Sequence, residues 1–167
     1  MSFEVIFAIA WATILAAGGG ALTKIDEWYF NLKKPSWQPP NWLFGPAWTI
    51  ILGLAAWAFV IAWRSTDDAG DHGILITLYA VNFVFHFLWS PLFFKARRPD
   101  WALVEVPFLW ASVLALIIGL AEWSSFAAWL TAPYFLWVTF ASALNAKIVT
   151  LNRPFGTPHA DEREAGT

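Results

Sequence analysis

The sequence contains no cysteine, a single methionine and few charges, with only 13% of its 167 residues being Asp, Glu, Lys or Arg. Without cysteine, neither disulfides nor a thiolate metal site can contribute. So small a charged fraction, beside 59% hydrophobic residues and a mean hydropathy of +0.55, excludes a soluble domain that must cover its core with polar surface. The net charge of -2 indicates no partner by itself, and no nucleic acid is expected. Other signals are missing too. The start Met1-Ser2-Phe3-Glu4 lacks the basic region of a cleavable signal peptide, so the first apolar run reads as a retained span. No phosphate-loop pattern follows Gly18-Gly19-Gly20, which reads as a close helix contact or a flexible span end. No nucleophile–base pair or metal cluster supports hydrolytic chemistry. No internal repeat of the kind used by alternating-access carriers is visible.

What is present is apolar sequence in blocks. Charges divide the chain into runs at about 5–23, 42–63, 73–94, 101–121 and 123–146, each near the length that crosses the hydrocarbon layer as a helix. The expected fold is all-α: a polytopic membrane protein, a bundle of five transmembrane helices with a structured first loop. A single membrane domain is expected over 1–153, followed by a disordered tail at 154–167, where Pro154, Gly156 and Pro158 alternate with charge.

Five crossings put the termini on opposite sides. The side of the N-terminus then carries Arg64 as its one basic residue, and the other carries Lys24, Lys33, Lys34, Lys95, Arg97, Arg98, Lys147, Arg153 and Arg163. By the positive-inside rule, the N-terminus is outside and the first loop and C-terminus are cytoplasmic.

The chain has 13 tryptophans. Trp28, Trp37, Trp42, Trp63, Trp101 and Trp123 fall at or just beyond span ends, where amphipathic indoles prefer to sit. Trp11, Trp48, Trp57, Trp89, Trp110, Trp129 and Trp137 fall inside spans and call for a hydrogen-bond partner or a pocket. The first loop, 24–41, is stiffened by Pro35, Pro39 and Pro40, and its Trp28, Tyr29 and Trp37 supply apolar surface. It reads either as a lid over the bundle or as a loop lying on the headgroups.

In the third span Asn82 and His86 share a face continued by Trp89 and Ser90, either as interhelical glue or as a site. In the fifth, Pro133, Trp137, Ala141 and Asn145 repeat every fourth residue. At about 1.5 Å per residue, Trp48, Asn82, His86, Trp89 and Trp137 all fall in the cytoplasmic half of the membrane. A cavity there would suit a large flat apolar ligand with polar edges. Glu105, the one carboxylate inside a span, is expected to snorkel or to pair with Arg97 and Arg98.

Several segments together resemble the TspO/MBR family of tryptophan-rich sensory proteins and translocator proteins. They are Trp28-Tyr29, Lys34-Pro35-Ser36-Trp37-Gln38-Pro39-Pro40, Phe44-Gly45-Pro46-Ala47-Trp48-Thr49, Phe87 to Phe94, Pro133-Tyr134-Phe135-Leu136-Trp137 and Ala143-Leu144-Asn145. The resemblance runs from about 20 to 153. It implies a five-helix bundle, often a homodimer, with no obligatory cofactor. Its implied ligands are protoporphyrin IX, haem and related tetrapyrroles, and synthetic isoquinoline or benzodiazepine compounds. Tyr29, Trp37, Pro40, Trp48, Trp89, Trp137, Ala141 and Asn145 match family pocket or motif positions, and Asn82 and His86 complete the expected ligand-binding set.

Two departures stand out. His86 occupies a position where the family usually has Asn; it reads either as a neutral imidazole replacing the amide hydrogen bond or as a group that titrates near neutral pH or ligates a haem iron. Asn145-Ala146-Lys147 lacks the tyrosine of the animal sterol-recognition pattern, so sterol binding through it is not expected.

The resemblance implies a tetrapyrrole sensor, regulator or carrier. The alternatives are light- and oxygen-dependent porphyrin degradation, with Trp48 as the participating residue, and transmembrane transport. Lys33 and Lys34 are expected to draw porphyrin propionates toward the lid.

Overall fold

The structure, a computed structural model, describes residues 1–156; the expected tail lies largely outside the described residues, from 157 onward. Among the described residues every regular element is helical. Helix α1 spans Phe3–Leu22. The short α2, Glu27–Asn31, lies in the first loop, which ends in a tight turn at Asn41–Leu43 before α3, Phe44–Trp63. Helix α4, Ala69–Ser90, closes with a wider π-helical turn at Pro91–Lys95. Helices α5, Pro99–Trp123, and α6, Ser125–Asn152, complete the chain.

Five helical segments are long and apolar enough to cross a membrane, with lengths of 20, 23, 27, 25 and 28 residues. They coincide with the five apolar blocks, but two overrun them. Helix α4 starts at Ala69 because the Asp68 carboxylate accepts from the backbone N–H groups of Gly70 and Asp71 and so caps it. Helix α6 continues to Asn152, since a charge such as Lys147 ends a hydrophobic run without ending a helix.

Around the bundle the order is α1, α3, α6, α5, α4 and back to α1, with α5 and α6 in the most extensive contact. They form a close antiparallel pair because only Ser124 separates them, and its hydroxyl caps α6 at Ala127 N. Hydrogen bonds across the interior knit three helices. Trp11 Nε1 donates to the Tyr79 carbonyl (3.1 Å), and the Tyr79 hydroxyl donates to the Ala55 carbonyl (2.7 Å). Small residues let the helices approach: Ala55, Ala58 and Ala62 are fully buried in α3. At Gly18 an added Cβ would lie 2.6 Å from the Phe87 ring, so this glycine marks a close contact, and α1 stays helical through the whole glycine run.

The two ends differ in chemistry. At one, Arg64 pairs with Glu4 (2.9 Å), and His72 stacks flat on Trp63 with ring centroids 3.7 Å apart. At the other, Arg97 pairs with Asp26 (3.0 Å), joining the α4–α5 turn to the first loop.

Two expectations are corrected here. Glu105 neither snorkels nor pairs. It is buried, both its carboxylate oxygens lack a partner among the described residues, and the two arginines are engaged elsewhere, Arg97 by Asp26 and Arg98 by Asp100. The hydrogen bond to Asp100 holds the Arg98 guanidinium above its ordinary pKa. Of the seven tryptophans inside spans, Trp57 and Trp129 have no hydrogen-bond partner for the indole N–H among the described residues and lie off the main cavity, Trp57 edging a shallow groove between α1 and α3. They are 53% and 75% exposed on the outer, lipid-facing surface, Trp129 one turn from the start of α6, at interfacial depth.

Candidate functional site

A cavity of about 400 Å³ lies in the half of the bundle beneath the first loop, within the range of small-molecule sites. Its walls come from all five long helices, and its cover from the loop. Helix α1 contributes Gly19 and Gly20, whose missing side chains leave room; no atom stands within 4 Å of a Cβ added at Gly20. Helix α3 contributes Trp48, α4 contributes His86, Trp89 and Ser90, and α6 contributes Trp137, Ala141 and Asn145.

The aromatic wall is built edge to face. The Trp48 ring meets His86 at 4.7 Å, Tyr134 at 6.0 Å and Trp137 at 6.2 Å between centroids, each close to perpendicular. Trp89 stacks on Phe93 at 5.1 Å. These contacts lock the indoles into fixed faces.

The loop is held over the cavity by its own polar groups. Tyr29 is buried, and its hydroxyl donates to Asn41 Oδ1 (3.0 Å). Gln38 Nε2 donates to both, at 3.1 and 3.3 Å. Burial raises the Tyr29 phenol above its ordinary pKa, which keeps it a neutral donor. The Asp26 carboxylate caps α2 at Tyr29 N and pairs with Arg97; these bonds, the backbone one first, hold it below the usual carboxylate range.

Lys34 is folded into the loop, with its ammonium donating to the carbonyls of Tyr29, Phe30 and Leu32 and sitting 4.4 Å above the Tyr29 ring. Burial lowers its pKa. The two adjacent lysines are placed differently: Lys34 ties the loop together, whereas the Lys33 ammonium makes no such bond among the described residues.

The structure brings Tyr29, Trp48, His86, Trp89, Trp137, Ala141 and Asn145 to the cavity and leaves three expected residues off its wall. Trp37 is 48% exposed and packs edge-on against Phe140, on the outer side of the loop. Pro40 sets the backbone at the start of the Asn41–Leu43 turn. Asn82 lies a turn beyond His86, fully buried, where its amide bonds Ser112 and Tyr134. Asn145 is at the wall and braces α5. In the orientation that satisfies both ends of its amide, it donates to the Pro99 carbonyl and accepts from Leu103 N–H, each at 3.2 Å.

Gln38, Asn41 and Tyr134 are site residues that the sequence reading did not single out. Their signals were present, since Gln38 lies inside Trp-Gln-Pro-Pro and Tyr134 lies one helical turn before Trp137. Two polar atoms of wall residues, Trp137 Nε1 and Gln38 Oε1, are sealed with no partner among the described residues. Such groups are costly to leave unpaired.

Comparison with known proteins agrees with this architecture. The chain is 39% identical to a tryptophan-rich sensory protein of Cereibacter sphaeroides over 145 residues, 84% of this chain and 89% of that one. It is 34% identical to the tryptophan-rich protein TspO of Chlorobaculum tepidum, covering 81% and 87% of the two chains. It is 31% identical to a translocator protein of Sus scrofa, covering 83% and 85%. The sequence model of the TspO/MBR family matches residues 3–151, nearly all that the structure describes, and the chain belongs to that family.

Proposed function

We propose that this protein binds tetrapyrroles of the protoporphyrin and haem type within the membrane and serves as a sensor, regulator or carrier of them. The observation that carries this reading is the cavity itself: edge-locked indoles form flat apolar faces, and a hydrogen-bonded loop covers them. A rigid planar ring loses little conformational entropy on entering such a site and gains stacking area over Trp48, Trp89 and Trp137. Flat isoquinoline or benzodiazepine compounds would compete for the same faces. We place the cavity on the cytoplasmic side, with nine of the ten basic residues, and infer a homodimer from family resemblance alone.

Titration of the purified protein with metal-free protoporphyrin tests the proposal. Saturable quenching of tryptophan fluorescence is expected, weakened in Trp48→Phe and Trp137→Phe. No saturable quenching, or quenching indifferent to both substitutions, overturns it.

A second reading, light- and oxygen-dependent porphyrin degradation, draws on the position of Trp48, whose ring touches three other aromatic side chains and would lie beside a bound macrocycle. Porphyrin spectra followed in light and dark decide it: decay no faster than that of free porphyrin excludes it.

A further inference from the structure

His86 Nδ1 lies 2.6 Å from the Tyr134 hydroxyl oxygen, at the end of a buried chain of hydrogen bonds whose direction can be counted. The Ser112 hydroxyl donates its one proton to the Leu109 carbonyl (2.7 Å) and therefore accepts from Asn82 Nδ2 (2.9 Å). With the Asn82 nitrogen so placed, its oxygen faces Tyr134 and accepts the phenol proton (3.1 Å). Tyr134 then has no proton left for His86. The 2.6 Å contact is a hydrogen bond only if Nδ1–H is the donor, so the neutral ring carries its lone pair on Nε2.

Nε2 has no hydrogen-bond partner among the described residues, and it is not among the sealed, unpartnered atoms. His86 lines the cavity, with the Trp48 ring 4.7 Å away. An imidazole whose far N–H is fixed by a polar partner is the arrangement of a metal-ligating histidine. Yet no group of three His, Cys, Asp or Glu that could hold a bare ion exists among the described residues. A single nitrogen suits a metal that arrives already coordinated in a plane and lacks an axial ligand.

We infer that His86 Nε2 is the axial ligand to the metal of a metallated planar macrocycle seated in this cavity, with Tyr134 as the residue that orients it. This rests on the tetrapyrrole reading above and adds a discrimination between metallated and metal-free rings. Coordination forms one nitrogen–metal bond from the Nε2 lone pair, with no change of oxidation state and no proton released.

The test uses the full chain in detergent, loaded with ferrous iron protoporphyrin, with metal-free protoporphyrin in parallel. Resonance Raman spectra of the ferrous complex are expected to show an iron–imidazole stretching band that shifts on 15N-histidine labelling. His86→Asn should abolish the band and weaken iron protoporphyrin binding by about tenfold or more beyond whatever it does to metal-free protoporphyrin binding. Tyr134→Phe keeps the histidine but removes its acceptor, and should keep the band at lower frequency as the imidazole loses basicity.

A wild-type protein that binds metal-free protoporphyrin yet gives no isotope-sensitive band overturns the inference and leaves the proposed function standing. A band that survives in His86→Asn overturns it too. If His86→Asn does not fold, the isotope shift and the Tyr134→Phe frequency decide alone, and an unmoved frequency counts against the tautomer. Failure of both porphyrins to bind brings down the tetrapyrrole reading, and this inference with it.

Discussion

Asn152, in the last turn of α6, grips Lys33 in the first loop by both backbone groups: its Nδ2 donates to the Lys33 carbonyl and its Oδ1 accepts from Lys33 N–H, each at 2.8 Å. The loop is thereby fastened to the far end of the chain as well as to the α4–α5 turn through Arg97 and Asp26.

Removing that clasp should loosen the cover without disturbing the bundle. For Asn152→Ala, the two solvent-exposed hydrogen bonds to the loop are lost, together about 1–2 kcal/mol, along with a bond from Nδ2 to the Ile148 carbonyl inside the last turn of α6. Hydrogen exchange in residues 27–38 should quicken by about five- to thirtyfold, with the helix interiors unchanged. Equal protection in the two proteins would show that the loop closes by its internal bonds alone.

The other fastening depends on pH with a definite sign. Asp26 has a folded-state pKa below its usual 3.8, so its contribution is complete above that value and is lost as pH falls through the lower folded value. The amides of α2, corrected for intrinsic exchange, should lose protection in that acid range. Asp26→Ala should show the same loss already at pH 7 and no further acid step.

The two adjacent lysines should behave differently. Lys33→Gln removes a charge near the loop and should slow porphyrin association most at low salt, with dissociation nearly unchanged. Lys34→Gln removes a side chain bonded to three carbonyls and should mainly speed dissociation. Stopped-flow quenching at two ionic strengths measures both, and identical effects would contradict the division.

Glu105 offers a test of the buried carboxylate. A carboxylate in a buried ion pair costs about 3–5 kcal/mol when its charge is removed. Because Glu105 has no partner among the described residues, Glu105→Gln should instead leave thermal stability within about 1 kcal/mol or raise it. A large fall in the unfolding temperature would reveal a partner for that carboxylate.

The helices themselves were legible in the sequence because spanning a membrane imposes a one-dimensional rule. Each crossing needs a long apolar run, and loops need charge or proline. The same rule separated the Trp48, His86 and Trp137 depth layer from the ends, and those rings do meet. It did not say which side of a helix faces inward. Trp57 and Trp129 look like Trp48 in sequence yet face lipid, because facing depends on neighbours that adjacent residues do not specify.

What the sequence determined by itself was the number of crossings, the charge asymmetry of the two ends, the stiffness of the first loop and the family motifs, all carried by composition and local spacing. Only the tertiary structure decided the order of helices around the bundle, the lack of a partner for Glu105 among the described residues, the use of Lys34 as a loop brace and the direction of the His86–Tyr134–Asn82–Ser112 chain. Each depends on which groups from distant parts of the chain come within hydrogen-bonding distance. Donor and acceptor roles are settled by partners, and the hydrogen-bond partner of His86, Tyr134, lies 48 residues away.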